Sequence, residues 1–228
     1  MQKFKPKDMT KEKNKMIKSI SSSQTEIIQS ILELHVPNHI IDLDPTYSKG
    51  VFYKNNNIQP PKLKYDLFPQ VEDCLQADCR NLPIEDKSLD CIMFDPPFVV
   101  SCGPSIGNSN KKSNIITNRF SSFYPVTNLF SFYDESLKEF YRILKNNGVL
   151  IFKCQDTVSG GINYMSHIYI HNMASNIGFY PKDLFILEAK NRLISGKVKN
   201  QNHARKFHSY FWVFEKGNKK LSKTIRFI

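Results

Sequence analysis

The 228-residue chain carries 32 lysines and arginines against 21 acidic residues, a net charge of +11 that favours a polyanionic partner, most simply nucleic acid. Its 40% hydrophobic and 12% aromatic content is that of a globular chain, and no run of about 18 apolar residues is present to span a bilayer. The opening segment "MQKFKPKDMTKEKNKMIK" lacks the apolar centre of a secretory signal, so a cytoplasmic protein without a membrane association is expected.

In chain order, residues 1–20 read as a flexible basic arm, with seven lysines between residues 3 and 18 against Asp8 and Glu12. Residues 21–216 read as one domain, and 217–228 as a basic tail. Ser23 with Glu26 forms a capping box ahead of Ile27, Ile28, Ile31, Leu32 and Leu34, a helix that ends near Pro37. "HIIDLD" (39–44) is a first buried strand, "LKYDLF" (63–68) a second, "DCLQAD" (73–78) a third and "LDCIMFD" (89–95) a fourth. Residues 99–130 are polar and aperiodic, an insertion of the kind that is usually functional. "FYDESLKEFYRILKNNG" (132–148) is a helix with Gly148 as its stop, and "GVLIFKCQD" (148–156) a fifth strand. "NYMSHIYIHNMASNIGF" (163–179) reads as a helix ending at Gly178. "DLFILEAKN" and "SYFWVFEKG" are the last two strands, an antiparallel hairpin joined by a second insertion, 190–208.

The five cysteines are an odd number, and two lie within predicted strands, so reduced thiols are the default. Cys74 and Cys79 can be joined on paper with His203 and His208, but the spacings are poor for zinc and no metal is expected.

The fourth strand poses the chemical question. Leu89, Cys91, Ile92, Met93 and Phe94 are apolar on both faces, and the run ends in Asp95, two prolines and Phe98. The prolines fix the backbone around the carboxylate. In open α/β sheets that edge is where ligands bind. Lys153, Gln155 and Asp156, at the end of the next strand, are candidates for the same edge.

Asp95-Pro96-Pro97-Phe98, at the end of a buried strand within a strand–helix ladder, resembles the catalytic tetrad of the S-adenosylmethionine-dependent methyltransferases that modify exocyclic amino groups of bases in DNA. The resemblance covers roughly residues 39–215. It implies an α/β fold of the Rossmann-like class I methyltransferase type: a mostly parallel seven-stranded sheet with a carboxyl-terminal antiparallel hairpin and helices on both faces. It implies S-adenosyl-L-methionine as cofactor and Asp95, Pro96, Pro97 and Phe98 as catalytic residues.

For the cofactor it points to Asp44, Pro45, Thr46 and Gly50 in "LDPTYSKGVF", to Asp66 near the ribose, to Asp78 and Cys79 near the adenine, and to Asp95 itself. Ser48 and Lys49 stand where the family usually has small residues, so this turn must hold the methionine end in another way.

An amino nitrogen conjugated to a base is a poor nucleophile, so its hydrogens need acceptors aimed at them. Asp95 and the carbonyl of Pro96 supply two, and Phe98 a ring to stack on the extruded base. Adenine N6 is placed before cytosine N4 on the weight of the family. Other readings keep the chemistry on RNA adenine, or make the chain a non-catalytic nucleic-acid-binding subunit. Lys111, Lys112 and Arg119 in the first insertion, and Arg192, Lys197, Lys199, Arg205 and Lys206 in the second, are the expected nucleic-acid contacts. Oligomeric state and target sequence are not legible.

Overall fold

A computed structural model of the chain describes residues 16–54, 58–98, 100, 123, 125–190 and 201–217. Ten strands and three helices are found among them: β1 (Ile20–Ser21), α1 (Gln24–His35), β2 (Leu43–Asp44), β3 (Leu63–Asp66), β4 (Leu75–Gln76), β5 (Leu89–Phe94), α2 (Val126–Ile143), β6 (Leu144–Cys154), β7 (Thr157–Ser159), β8 (Ile162–Tyr164), α3 (Ser166–Ile177), β9 (Phe179–Glu188) and β10 (His208–Lys216). Eight strands form one sheet in the order β1-β9-β10-β6-β5-β2-β3-β4, and β7 and β8 form a separate hairpin.

Every pairing within the large sheet is parallel except those of β10, which runs antiparallel to both β6 and β9. This is the α/β Rossmann-like class I methyltransferase fold. The expected seven strands are joined by an eighth, the two-residue β1, which pairs Ile20 with Ile186 at the sheet's edge.

Side chains alternate across the central strands and build two cores. Ile92 and Phe94 of β5, with Leu150, Phe152 and Cys154 of β6, pack beneath α2 and α3 on one face. Cys91 and Met93, with Val149 and Ile151, pack on the other face beneath α1 and the segment holding Phe52, Tyr53 and Ile58. A strand buried on both faces needs apolar residues at every buried position, which is why β5 is continuous from Cys91 to Phe94 after the half-buried Asp90. Phe94 makes edge-to-face contacts with Phe140 and Phe152, at 4.7 and 4.9 Å between centroids.

The chain leaves β2 for β3 and β4 on one side, then returns to β5 on the other side of β2. The carboxyl ends of β2 and β5 therefore flank the point where strand order reverses, the place where such sheets bind ligands. The β2–β3 crossover, usually a helix, holds only one helical turn among its described residues, closed by Lys54 N–H donating to the Gly50 carbonyl.

Several element boundaries differ from the sequence expectation: β2, β3 and β4 are shorter, β9 starts at Phe179, ahead of the expected Asp183, and residues 126–130 of the first insertion are already helix. Helix α2 runs from Val126 to Ile143, and Leu144 already begins β6 by pairing with Leu89. Gly148 is thus inside a strand rather than a helix stop, and the left-handed residue is Asn147, at φ +64°. Ile162–Tyr164 belong to the β7–β8 hairpin and not to α3, which starts at Ser166. The hairpin is turned by Gly160 and Gly161, both at positive φ, as a two-residue turn requires. The Gly178 stop is as expected: it caps α3 at φ +117°. Ser23 caps α1 with its hydroxyl oxygen accepting from the Glu26 N–H, 3.3 Å. Among the described residues, no helix is long and apolar enough to cross a membrane.

Candidate functional site

Asp44 ends β2, and Asp95 follows β5 directly. Leu43 pairs with Ile92, and both point into the core under α2, so Asp44 and Asp95 project toward the opposite face, that of Phe52 and Tyr53. Thr46 stitches the two strand ends together. Its hydroxyl donates to Asp44 Oδ1 at 3.1 Å and accepts from the Asp95 N–H at 3.0 Å. The Thr46 N–H also donates to Asp44 Oδ1, and the Tyr53 hydroxyl donates to Oδ2, both at 2.9 Å. Asp44 is fully buried, and desolvation pushes its carboxyl up to about 7 against the opposing effect of those hydrogen bonds, with the negative charge of Asp95 adding to the rise.

Tyr53 is held over Asp44 by stacking on Tyr47, 5.5 Å between centroids. Burial, then the nearby Asp44, raise the Tyr53 phenol far above its ordinary range, so it stays a donor. Gly50 sits at φ +63°, and a Cβ there would lie 2.5 Å from the Tyr47 ring. The glycine of this turn thus makes room for a tyrosine of the chain itself. Pro45 is buried between Asp44 and Thr46, and Ser48 takes the left-handed conformation at φ +49°.

Asp95 is placed differently. Its Oδ2 accepts from Lys153 Nζ at 3.1 Å, while Oδ1 is buried with no hydrogen-bond partner. Buried polar atoms are nearly always partnered, so a lone acceptor at a ligand-binding edge marks a place for an incoming donor. Pro96 is buried; Pro97 and Phe98 are half-buried. The Tyr133 hydroxyl of α2 donates to the Pro97 carbonyl at 3.0 Å, which anchors the tetrad from the helical side.

The remaining predicted cofactor residues lie along the same edge with their side chains engaged. Asp66, at the end of β3, accepts from Ser48 N–H at 2.9 Å with Oδ2 and from Phe68 N–H at 2.8 Å with Oδ1, which ties β3 to the Asp44–Gly50 turn. Each oxygen keeps a further lone pair. Asp78 is gripped by the Arg80 guanidinium, which holds its carboxyl below the usual range, and Arg80 reaches on to Glu135 of α2. The Cys79 thiol is buried 3.4 Å from the Ser136 hydroxyl, and desolvation pushes it up to about 12.

Of the three candidates beyond β5, Lys153 joins the site, but Gln155 and Asp156 are held elsewhere. Gln155 donates to the His208 carbonyl at 2.6 Å, and Asp156 accepts from His167 at 2.7 Å. Tyr47, Tyr53 and Tyr133 carry no sequence signal of their own; their roles depend on which strand ends they reach. Among the nucleic-acid candidates, Arg205 is exposed and Lys206 half-buried, just ahead of β10. Lys111, Lys112, Arg119, Arg192, Lys197 and Lys199 lie outside the described residues. No three His, Cys, Asp or Glu side chains among the described residues converge as a metal-ligand set.

The sequence model of the family N6_N4_Mtase, described as DNA methylase, matches residues 89–227, more than half of the chain. The chain belongs to this DNA methylase family. The match opens on β5 and the Asp95 tetrad and leaves the Asp44–Gly50 turn outside it. No curated protein matches the sequence significantly.

Among solved structures, a putative DNA modification methylase from Thermus thermophilus, complexed with S-adenosyl-L-methionine, is 14% identical over 62% of this chain and 54% of its own, with a TM-score of 0.41. The cytosine-N4-specific PvuII DNA methyltransferase is 14% identical over 63% of this chain and 48% of its own, TM-score 0.41. TrmN from Thermus thermophilus is 16% identical over 86% and 50%, TM-score 0.47. The chain spans about half the length of these three structures.

Proposed function

We propose that this DNA methylase uses S-adenosyl-L-methionine to methylate an exocyclic amino group of a base in DNA, with adenine N6 placed before cytosine N4. The observation that carries the reading is the free acceptor: Asp95 Oδ1, buried and unpartnered, at the end of β5 beside the switch point.

A cationic cofactor suits a rim with half-buried carboxylates at the ends of β3 and β5, Asp66 and Asp95, while the buried Asp44 between them braces the turn. Asp66 and the Asp44–Gly50 turn would hold it, with Asp78 and Cys79 further along the edge. When bound, the cofactor supplies an electrophilic methyl group.

The chain's own work is then to hold the amino group and stabilise the charge developing on it. Asp95 Oδ1 accepts one N–H, and the carbonyl of Pro96 accepts another. Thr46 fixes the Asp95 backbone, and Tyr133 fixes Pro97, so the acceptors need not reorganise during reaction. Phe98 stacks on the base, which leaves the duplex to reach this edge. Arg205 and Lys206, together with the other cations of the two insertions, contact phosphates and set the position of the strand.

The test is mass analysis of nucleosides after incubation of the protein with isotopically labelled methyl donor and DNA. Labelled N6-methyldeoxyadenosine is the expected product, and N4-methyldeoxycytidine would move the assignment to cytosine. Label in neither nucleoside would overturn the reading.

A further inference from the structure

Lys153 occupies a position where packing alone calls for an apolar residue. It lies on β6, between β5 and β10, on the face where Val149 and Ile151 are core residues. Its ammonium stands 4.9 Å from the Phe52 ring centroid and 5.8 Å from that of Phe211, the residue paired with it on β10. The rings cover the stem and face the charge.

Removing a lysine from water is costly unless an opposite charge meets it. Here that charge is Asp95 Oδ2, with the two side chains 15% and 23% exposed. Phe94 pairs with Phe152, so Asp95 and Lys153 are the next residues along two neighbouring strands, and sheet register sets their meeting.

The ion pair takes one oxygen of Asp95 and leaves the other, buried, without a partner. A carboxylate free to rotate would present either oxygen, or swing toward any nearby donor. With Oδ2 bound to Lys153 and the backbone N–H bound to Thr46, two points of the residue are fixed and the direction of Oδ1 follows. We infer that Lys153 is a positioning residue of the methyl-transfer site: it clamps Asp95 Oδ2 so that Oδ1 is the oxygen offered to the amino group. This rests on the amino-methyltransferase reading above.

Lys153→Met keeps the length and the contact with both rings while removing the charge. Misplacing the acceptor should lower kcat about 100-fold, with KM for DNA and the affinity for S-adenosyl-L-methionine unchanged. Lys153→Arg should recover activity to within about tenfold of wild type, since a guanidinium still meets the carboxylate but with a different fork. In an Asp95→Ala background, Lys153→Met should cause no further loss, because its partner is already gone.

Crystal structures of wild type and Lys153→Met supply a readout independent of turnover: one Asp95 rotamer in the wild type, and a rotated or split carboxylate in the variant. An unchanged kcat in Lys153→Met, or an Asp95 rotamer that does not move, would overturn the inference. If the wild type transfers no methyl but the variant's carboxylate still swings, the clamp stands and the methyltransferase reading fails.

Discussion

Asp44 and Asp95 are two acids at the ends of adjacent parallel strands, on the same face of the sheet and linked through one threonine, yet the fold treats them in opposite ways. Asp44 is sealed from water and receives donors at both oxygens, from Thr46 and Tyr53. Asp95 is partly exposed as a side chain, with one oxygen ion-paired and the other buried without a partner. The supply of donors separates a latch from a reactive group. A carboxylate with every direction satisfied holds structure together; one with a direction left over can take a ligand.

Asp95→Ala is the severest test of that contrast. It should reduce methyl transfer by about 10³-fold, as loss of a preorganised polar contact to the reacting group does, while urea unfolding shows a loss of about 1–3 kcal/mol, because the largely buried Lys153 is left without its partner. Large destabilisation with activity retained would reverse the assignment of the two acids.

Asp44 should instead show itself in stability. Its folded carboxyl is raised from 3.8 to about 7, so between those values the folded state keeps a proton that the unfolded chain has lost. The associated stability is fully present below about pH 4 and declines as pH rises through about 7, by a few kcal/mol at about 1.4 kcal/mol per unit. Asp44→Asn should flatten that part of the stability–pH profile and make the protein more stable than wild type at pH 8. An identical slope in the variant would show that Asp44 is not the group responsible.

The smallest effect concerns the lid over Asp44. Gly50→Ala should cost about 1–3 kcal/mol, because it places a side chain at positive φ and against the Tyr47 ring. Thermal unfolding measures that loss, and the fluorescence of the displaced tyrosines should change with it.

Much of the ladder is legible locally. The hydroxyl of Ser23, the apolar stripe of α1 and the Gly178 stop each act within one or two turns of chain, so their spacing in sequence is their spacing in space. The hairpin at Gly160-Gly161 was equally local, and the two adjacent glycines were its signal. It was obscured by apolar residues that fit a helical period through Tyr164 and Ile168, where a turn signal had to take precedence. Lys153, by contrast, gave no hint of its partner: 58 residues separate it from Asp95. The Asp44–Gly50 turn resembled a cofactor loop, but the sequence could not show that Gly50 yields its space to Tyr47.

By itself the sequence determined that a two-sided buried strand ends in a rigid Asp-Pro-Pro-Phe, because apolar periodicity and proline stereochemistry act on neighbouring residues. It also determined the order of the main strands and helices, though not β1 or the β7–β8 hairpin. Only the tertiary structure decided that β10 enters between β6 and β9, that Tyr53 closes over Asp44, and that Lys153 takes one oxygen of Asp95 and leaves the other. Those outcomes depend on the register between strands distant in sequence. Register is selected by burying both faces of the sheet at once, and no single stretch of chain encodes that.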